Sequence, residues 1–226
     1  NFKGKKGWEI IDIDNSLLNK YINKQDEDIE QLRINIYKSR YIKFMGWKYL
    51  KDVLNKNYDV IFYCDSCYTP NSKINWNYYA ELIINNESGI IQKLHDKNHG
   101  PISECKNICR SKKDTQQRMN KLIKYLKDND CNDSFKISEN TTFGYNPNNK
   151  KIINALSDFW KIYTEIKISH RDQPIWGFIS QKHNIQPEYV KRLHRINHVD
   201  KNSRYLFDCT GKSFTKDKRR PYKFKT

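Results

Sequence analysis

Apolar residues recur at helical spacing in several long stretches of the chain. The clearest is residues 151–168, where apolar and aromatic positions return every three or four residues. The same period predicts one or two helices over residues 26–57 and a single helix over residues 102–128. Residues 175–180, which follow Pro174, are apolar enough to predict one more helix.

Short apolar runs without helical spacing predict the strands. Residues 58–65, Y-D-V-I-F-Y-C-D, contain an unbroken apolar and aromatic run, typical of a strand buried on both faces of a parallel sheet between helices. Residues 8–14 and 89–95 predict two further strands, and residues 135–145 predict a strand or a hairpin. Residues 78–85 fit either a helix or a strand. The alternation of the two element types predicts an α/β domain.

Positive charge is concentrated at the C-terminal end of the chain. The chain has 42 Lys and Arg against 26 Asp and Glu, a net charge of +16, and residues 211–226 hold seven of the basic residues and one Asp. We therefore predict a domain at residues 1–210 and a basic tail at residues 211–226. The charge favours polyanionic partners, nucleic acid among them. The abundance of Lys, Asn, Ile and Tyr also matches the codons of an AT-rich genome, such as that of a large DNA virus.

The apolar runs and the cysteines bear on the cellular compartment. No run reaches the roughly 18 apolar residues of a membrane span, and no secretory signal is present, so we expect a cytoplasmic protein with reduced thiols. Cys64 and Cys67 stand as C-x-x-C, and Cys105 and Cys109 as C-x-x-x-C. Zinc binding is one interpretation of these spacings, but the apolar and helical surroundings favour buried thiols.

Two candidate sites for ligand binding lie in the first third of the chain. Asp65 and Ser66 end the apolar run of residues 58–65, at the carboxyl end of a strand, where open α/β sheets bind ligands. Capping of the following turn is the alternative role for Asp65. Arg40 and Lys43 are three residues apart on one helical face and could bind phosphates, or they could form a solvated basic face.

A third candidate site is the polar loop between the last two predicted helices. His170, Arg171, Asp172 and Gln173 offer a base, a carboxylate and an amide side by side, a combination that suits the hydroxyls of a sugar. Capping of the following helix is the alternative role for Asp172, with Pro174 in the first turn.

Taken in order, these motifs resemble a GT-A-type glycosyltransferase-like family that includes plant turgor-regulation and mucilage proteins, with bacterial and viral relatives. The resemblance covers residues 39–198, and its most specific element is R-D-Q at 171–173, which follows the aromatic helix D-F-W-K-I-Y. The other elements are S-R-Y-I-K at 39–43, Y-D-V-I-F-Y-C-D-S at 58–66, K-L-H at 93–95, H-G-P-I-S-E-C at 99–105 and S-E-N at 138–140.

The resemblance implies a GT-A-like, Rossmann-like fold with a mixed, mainly parallel sheet flanked by helices. The sheet lacks its first strand if residues 8–14 form a later one. The implied activity is transfer of a sugar, most simply a hexose, from a UDP- or GDP-sugar to a hydroxyl of a glycan or protein acceptor. The alternatives are a non-catalytic module that binds nucleic acid or an acidic glycan, and an inactive relative of the family.

The resemblance also implies a role for each candidate residue. Asp172 is the catalytic carboxylate, which orients or deprotonates the acceptor. Mn²⁺ or Mg²⁺ is held by Asp65 and a later His198, although the strand end carries one carboxylate where the family's D-x-D motif has two. The donor-binding residues are Arg40, Lys43, Asp65 and Ser66, and the acceptor-binding residues are His170, Arg171 and Gln173.

Overall fold

The computed structural model describes residues 13, 15–18, 31–65, 68–70, 75–97, 99–190, 194–196, 206–207 and 213–214. The helices are α1 (Asn15–Leu18), α2 (Gln31–Asp52), α3 (Trp76–Asn85), α4 (Pro101–Arg110), α5 (Gln116–Asp128), α6 (Lys150–Ile166) and α7 (Gln173–Lys182). The strands are β1 (Ile61–Cys64), β2 (Tyr68–Pro70), β3 (Ile90–Leu94), β4 (Ser138–Tyr145), β5 (Glu188–Tyr189), β6 (His194–Ile196), β7 (Leu206–Phe207) and β8 (Ser213–Phe214). Except for Ile13, the strand predicted over residues 8–14 lies outside the described residues.

Four strands form a mixed sheet in the order β1-β4-β3-β5. Strand β4 pairs antiparallel with both β1 and β3, and β3 pairs parallel with β5, so β1, β3 and β5 all run in one direction. The predicted α/β class and the mixed sheet flanked by helices are confirmed. The predicted parallel pairing of the strand at 58–65 is wrong, because β4 lies between β1 and β3 and makes two of the three pairings antiparallel.

The sheet is covered by helices on both faces. Phe143 and Tyr145 of β4 face the larger core, which is built with α2, α6 and α7. On the other face α3 packs closely, and a Cβ at Gly144 would lie 2.6 Å from the Ile83 side chain. Within the described residues β1 pairs only with β4 and is half-buried, so the expectation of a strand buried on both faces is wrong as well.

Aromatic side chains join the helices of the larger core. Phe44 of α2 lies with its ring centroid 4.0 Å from that of Phe159 in α6 and 5.7 Å from that of Trp176 in α7. The helix predicted at 151–168 is confirmed as α6, which begins where the Asn149 side chain accepts hydrogen bonds from the backbone N–H groups of Lys151 and Ile152. Residues 78–85, which fit either element type, belong to helix α3.

The helix predicted over residues 102–128 is two helices. Lys112 has a left-handed backbone with φ of 54°, which ends the first helix. The Thr115 side chain then accepts a hydrogen bond from the backbone N–H of Arg118 and begins α5. The apolar stripe continues across both helices, which is why periodicity alone did not reveal the break.

Outside the main sheet, β2 pairs antiparallel with β6 and β7 with β8. The domain boundary predicted at residue 211 falls between β7 and β8. The described cysteines are free thiols, and Cys105 is buried in the larger core. None of the helices in the described ranges has the length and apolar character needed to cross a bilayer.

Candidate functional site

Polar side chains gather at one edge of the main sheet. Strands β1 and β3 run in the same direction and β4 runs against them, so Cys64 and Leu94 end at the edge where Ser138 begins. The N-terminus of α7 reaches this edge, because the side-chain amide of Gln173 donates a hydrogen bond to the Ser138 carbonyl over 3.0 Å. We call this edge the carboxyl edge. It is the position at which the sequence predicted ligand binding.

Two cations at the carboxyl edge belong to α2, just before a kink in that helix. Met45 has non-helical backbone angles of −113° and 16°. The backbone N–H of Trp47 donates to the Tyr145 hydroxyl over 3.1 Å, which pins the kink to the sheet. Lys43 and Arg40 lie on the side of α2 that faces the carboxyl edge, where Lys43 is 3% exposed. The alternative of a solvated basic face is therefore wrong.

Four charged residues meet here, and we name Arg40, Lys43, Asp65 and Asp172 the buried ion cluster. The Asp172 carboxylate lies 3.2 Å from Arg40 Nε and 3.1 Å from Lys43 Nζ. Lys43 Nζ also lies 3.3 Å from Asp65 Oδ1. Two positive and two negative groups balance, which is how charges are tolerated away from water.

Asp172 stays ionised inside this cluster. Burial alone would raise the pKa of its carboxyl, but the charges of Arg40 and Lys43 outweigh burial and lower the pKa to about 2. Burial would likewise lower the pKa of Arg40, and the Asp172 carboxylate reverses the direction. Asp172 precedes α7, yet its carboxylate makes no capping hydrogen bond, so the capping alternative is wrong. Pro174 does lie in the first turn of α7, as predicted.

Asp65 is the most accessible member of the cluster. Its side chain is 31% exposed, against 10% for Asp172. The Tyr63 hydroxyl donates to Asp65 Oδ1 over 2.8 Å. Burial, reinforced by the Asp65 carboxylate, raises the pKa of Tyr63, so the phenol keeps its hydrogen. Within the described residues, Asp65 Oδ2 has no hydrogen-bond partner and is the oxygen left for a ligand.

The loop before Asp172 is fixed by contacts with the α4–α5 connection. Ser169 donates to the buried Asp114 carboxylate over 2.6 Å. Arg171 donates from Nη2 to the Lys113 carbonyl over 3.1 Å. Burial, together with the positive charge of Arg171, lowers the pKa of His170 to about 4, so its ring is neutral at pH 7. These contacts hold Asp172 in place, and the acceptor-binding roles of His170, Arg171 and Gln173 stay predictions.

A second group of titratable side chains lies at the end of β3, and we name His95, His99 and Glu104 the histidine cluster. His99 Nε2 lies 2.6 Å from Glu104 Oε2, and the two histidine rings meet edge to face with centroids 4.9 Å apart. Glu104 is 7% exposed in the first turn of α4. Its charge also acts on Arg171, which ties the cluster to the loop before α7.

The sequence did not single out the pairing of His99 with Glu104. Five positions separate the two residues, a spacing that no helical period favours. A signal was present nonetheless: Pro101 marks the first turn of a helix, and Glu104 falls in that turn with His99 just before it. The sequence reading also left Tyr63 and Asp114 without a role in the site.

The predicted metal site is only partly within the described residues. Of its two predicted ligands, His198 lies outside them, as does Ser66, which was predicted to bind the donor. Asp65 supplies one open carboxylate oxygen, fewer than a divalent cation needs. No group of three or more His, Cys, Asp or Glu side chains suited to a metal ion is present in the part of the chain that the structure describes. These residues alone do not fit a metal ion, and the Mn²⁺ or Mg²⁺ site stays a prediction.

Comparisons with known proteins add no relative. No protein-family model, no curated protein and no solved structure matches the chain.

Proposed function

We propose that this chain is a glycosyltransferase of the GT-A-like type, which transfers a sugar from a UDP- or GDP-sugar to an acceptor hydroxyl. The observation that carries the proposal is the buried ion cluster. Arg40 and Lys43 lie on α2, Asp65 follows β1 and Asp172 precedes α7, and the sequence predicts a role in substrate binding or catalysis for each of them. Three ion pairs, Arg40 with Asp172, Lys43 with Asp172 and Lys43 with Asp65, link them at the carboxyl edge of an α/β sheet, where such folds bind ligands.

The proposal gives the accessible and the buried members different tasks. Asp65, with Oδ2 open, is the member that contacts the donor sugar-nucleotide, and Arg40, 19% exposed, is the cation nearer to solvent. Lys43 lies behind both and balances the two carboxylates. A cation beside a diphosphate stabilises the negative charge that grows as the glycosidic bond breaks.

Asp172 suits orientation of the acceptor better than proton transfer. A general base works best when its pKa lies near the working pH. The pKa of Asp172 is about 2, and two cations already contact its carboxylate. A fixed negative charge of this kind can accept a hydrogen bond from a hydroxyl and hold it in place without taking its proton.

Nucleotide titration tests the proposal. We expect calorimetry to detect selective binding of one nucleotide class, UDP or GDP. Incubation of the matching nucleotide-sugar with an acceptor should release free UDP or GDP. Asp65→Asn should weaken nucleotide-sugar binding at least tenfold, because it removes the accessible charge while keeping the size. Asp59→Asn is the matched control, since Asp59 is an exposed carboxylate that precedes the same strand. Equal, weak binding of all nucleotides by the wild type would contradict the proposal.

A second function, a non-catalytic module for nucleic acid or an acidic glycan, is favoured by one surface. The outer face of α4, α5 and their connection carries exposed cations, whereas Glu104 and Asp114 of the same segment are buried. The exposed cations are Lys106, Arg110, Lys112, Lys113, Lys121, Lys124 and Lys127. A polyanion bound there would dissociate steeply as salt rises, whereas selective nucleotide binding at the carboxyl edge would depend on salt much less.

A further inference from the structure

We infer that His99, positioned by Glu104, is the residue that takes the proton from the acceptor hydroxyl. This inference rests on the proposed sugar transfer and adds the general base that the transfer needs. The buried ion cluster cannot easily supply one, because both of its carboxylates already contact cations. His99 lies at the same edge of the sheet, since its carbonyl accepts a hydrogen bond from the backbone N–H of Ile137, next to Ser138.

The contact between His99 and Glu104 defines the basic nitrogen. An ionised carboxylate can only accept, so the 2.6 Å contact requires the hydrogen on Nε2 of a neutral His99 ring. Nδ1 then carries the lone pair. Among the described residues none forms a hydrogen bond with Nδ1. The Asn107 side-chain amide lies 3.2 Å from Nε2, and with its oxygen turned towards the ring it accepts from the same Nε2 hydrogen. In general-base catalysis the base takes the proton of the nucleophile, and a third group often holds the base in the required orientation.

Burial makes this pair more than a surface contact. The side chains of Glu104 and His99 are 9% and 13% exposed, so the carboxylate is kept in one orientation. A second close histidine–carboxylate pair, His183 with Asp158 at 2.9 Å, follows the last turn of α7. Because α7 begins at the carboxyl edge, its far end cannot serve the same site. That pair is a natural control.

The proposed step balances without a further reactant. The acceptor oxygen bonds to the anomeric carbon of the donor sugar, and the bond from that carbon to the diphosphate oxygen breaks. The bonding electron pair leaves with the nucleoside diphosphate. The hydroxyl proton passes to His99 Nδ1, and the resulting imidazolium is balanced by Glu104. His95, whose ring meets that of His99 edge to face, is also within reach of the charges of Glu139 and Asp96.

The test compares His99→Gln with His183→Gln. General-base catalysis contributes roughly 10²–10⁴-fold to a rate, so His99→Gln should lower transfer by about that factor and leave nucleotide-sugar affinity unchanged. The pH profile of kcat/KM should change from the wild type to His99→Gln, because the variant lacks the group that takes the proton. His183→Gln should keep both the wild-type rate and the wild-type pH profile. Glu104→Gln, which removes the positioning charge, should lower transfer roughly tenfold.

Each outcome separates the two proposals. A wild type that transfers from no nucleotide-sugar contradicts the proposed function, whereas an active wild type with an equally active His99→Gln contradicts the role of His99 alone. If His99→Gln does not fold, nitrogen NMR of the wild-type histidines decides instead. A hydrogen on Nε2 of His99, shifted in Glu104→Gln, supports the inference. A hydrogen on Nδ1 at neutral pH overturns it, since that nitrogen could not then accept a proton.

Discussion

The buried ion cluster and the histidine cluster lie at the same edge of the sheet but differ in what their charges can do. In the buried ion cluster each cation has a carboxylate partner, and the pKa of Asp172 is about 2, so its charges stay fixed at neutral pH. The histidine cluster pairs a carboxylate with an imidazole, a side chain that can serve as a general acid or base. The difference suggests that one cluster holds a substrate in place and the other moves its proton.

Lys43→Met should break the buried ion cluster and have the largest effect on stability. Lys43 is 3% exposed and lies within 3.3 Å of both carboxylates, so the variant removes the ion pair of Asp65 with Lys43 and leaves Asp172 paired with Arg40 alone. Removing one partner of a buried ion pair costs about 3–5 kcal/mol. Urea unfolding followed by tryptophan fluorescence would measure the loss. Lys51→Met, on an exposed position of the same helix, should change the free energy of unfolding by less than about 0.5 kcal/mol.

A different result would weaken the comparison. If Lys43→Met is as stable as Lys51→Met, the four charges do not depend on one another, and the view of a fixed, mutually balanced cluster is wrong. The histidine cluster should be unaffected in either case, which the NMR signals of His99 would report.

Asp172→Asn should have a smaller, pH-dependent effect. The pKa of Asp172 is lowered from 3.8 to about 2 in the folded protein, and each unit corresponds to about 1.4 kcal/mol. The carboxylate therefore contributes about 2 kcal/mol above pH 4. As pH falls from 4 towards 2 the unfolded chain binds the proton first, so this contribution is lost. The wild type and Asp172→Asn should differ in unfolding free energy by about 2 kcal/mol at pH 7 and converge near pH 2.

Convergence with pH is what distinguishes this change from a packing defect. A constant difference between the two proteins from pH 7 to pH 3 would mean that the Asn side chain fits badly, and that the ion pairs with Arg40 and Lys43 contribute little. Asp59→Asn, an exposed carboxylate, should show no difference at any pH.

Local sequence signals predicted the members of the buried ion cluster but not their contacts. The spacing of Arg40 and Lys43 put both on one side of a helix, and the apolar run before Asp65 put that residue at a strand end. Whether such residues face solvent or each other depends on tertiary packing. The kink at Met45 and the hydrogen bond from Trp47 to Tyr145 turn α2 towards the sheet, and no periodicity along the chain reports that contact.

The same limit explains the errors in the fold. An unbroken apolar run is typical of a central parallel strand, yet β1 has the run because its two faces meet different helix layers. Within the described residues β1 pairs with β4 alone, which leaves β1 half-exposed, and β4 comes about 80 residues later in the sequence. His99 and Glu104 were missed because their pairing crosses the start of a helix, where neither helical nor strand spacing applies.

Tyr63→Phe should have the smallest effect on stability of the three variants, because it removes a hydrogen bond from the buried ion cluster but no charge. The Tyr63 hydroxyl donates to Asp65 Oδ1 over 2.8 Å. A hydrogen bond to a charged group contributes about 1.5–3 kcal/mol. Water can replace part of it, since Asp65 is 31% exposed and still contacts Lys43, so we expect a loss of about 1 kcal/mol in urea unfolding.

The matched control for Tyr63→Phe is Tyr58→Phe, since Tyr58 is 40% exposed and precedes the same strand. Its unfolding free energy should match that of the wild type. In Tyr63→Phe the Asp65 carboxylate loses one of its two restraints, so nucleotide-sugar affinity should fall a few-fold while the pH profile of transfer stays that of the wild type. A changed pH profile would mean that Tyr63 and Asp65 take part in proton transfer. The view that the buried ion cluster only holds the substrate and the histidine cluster moves its proton would then be wrong.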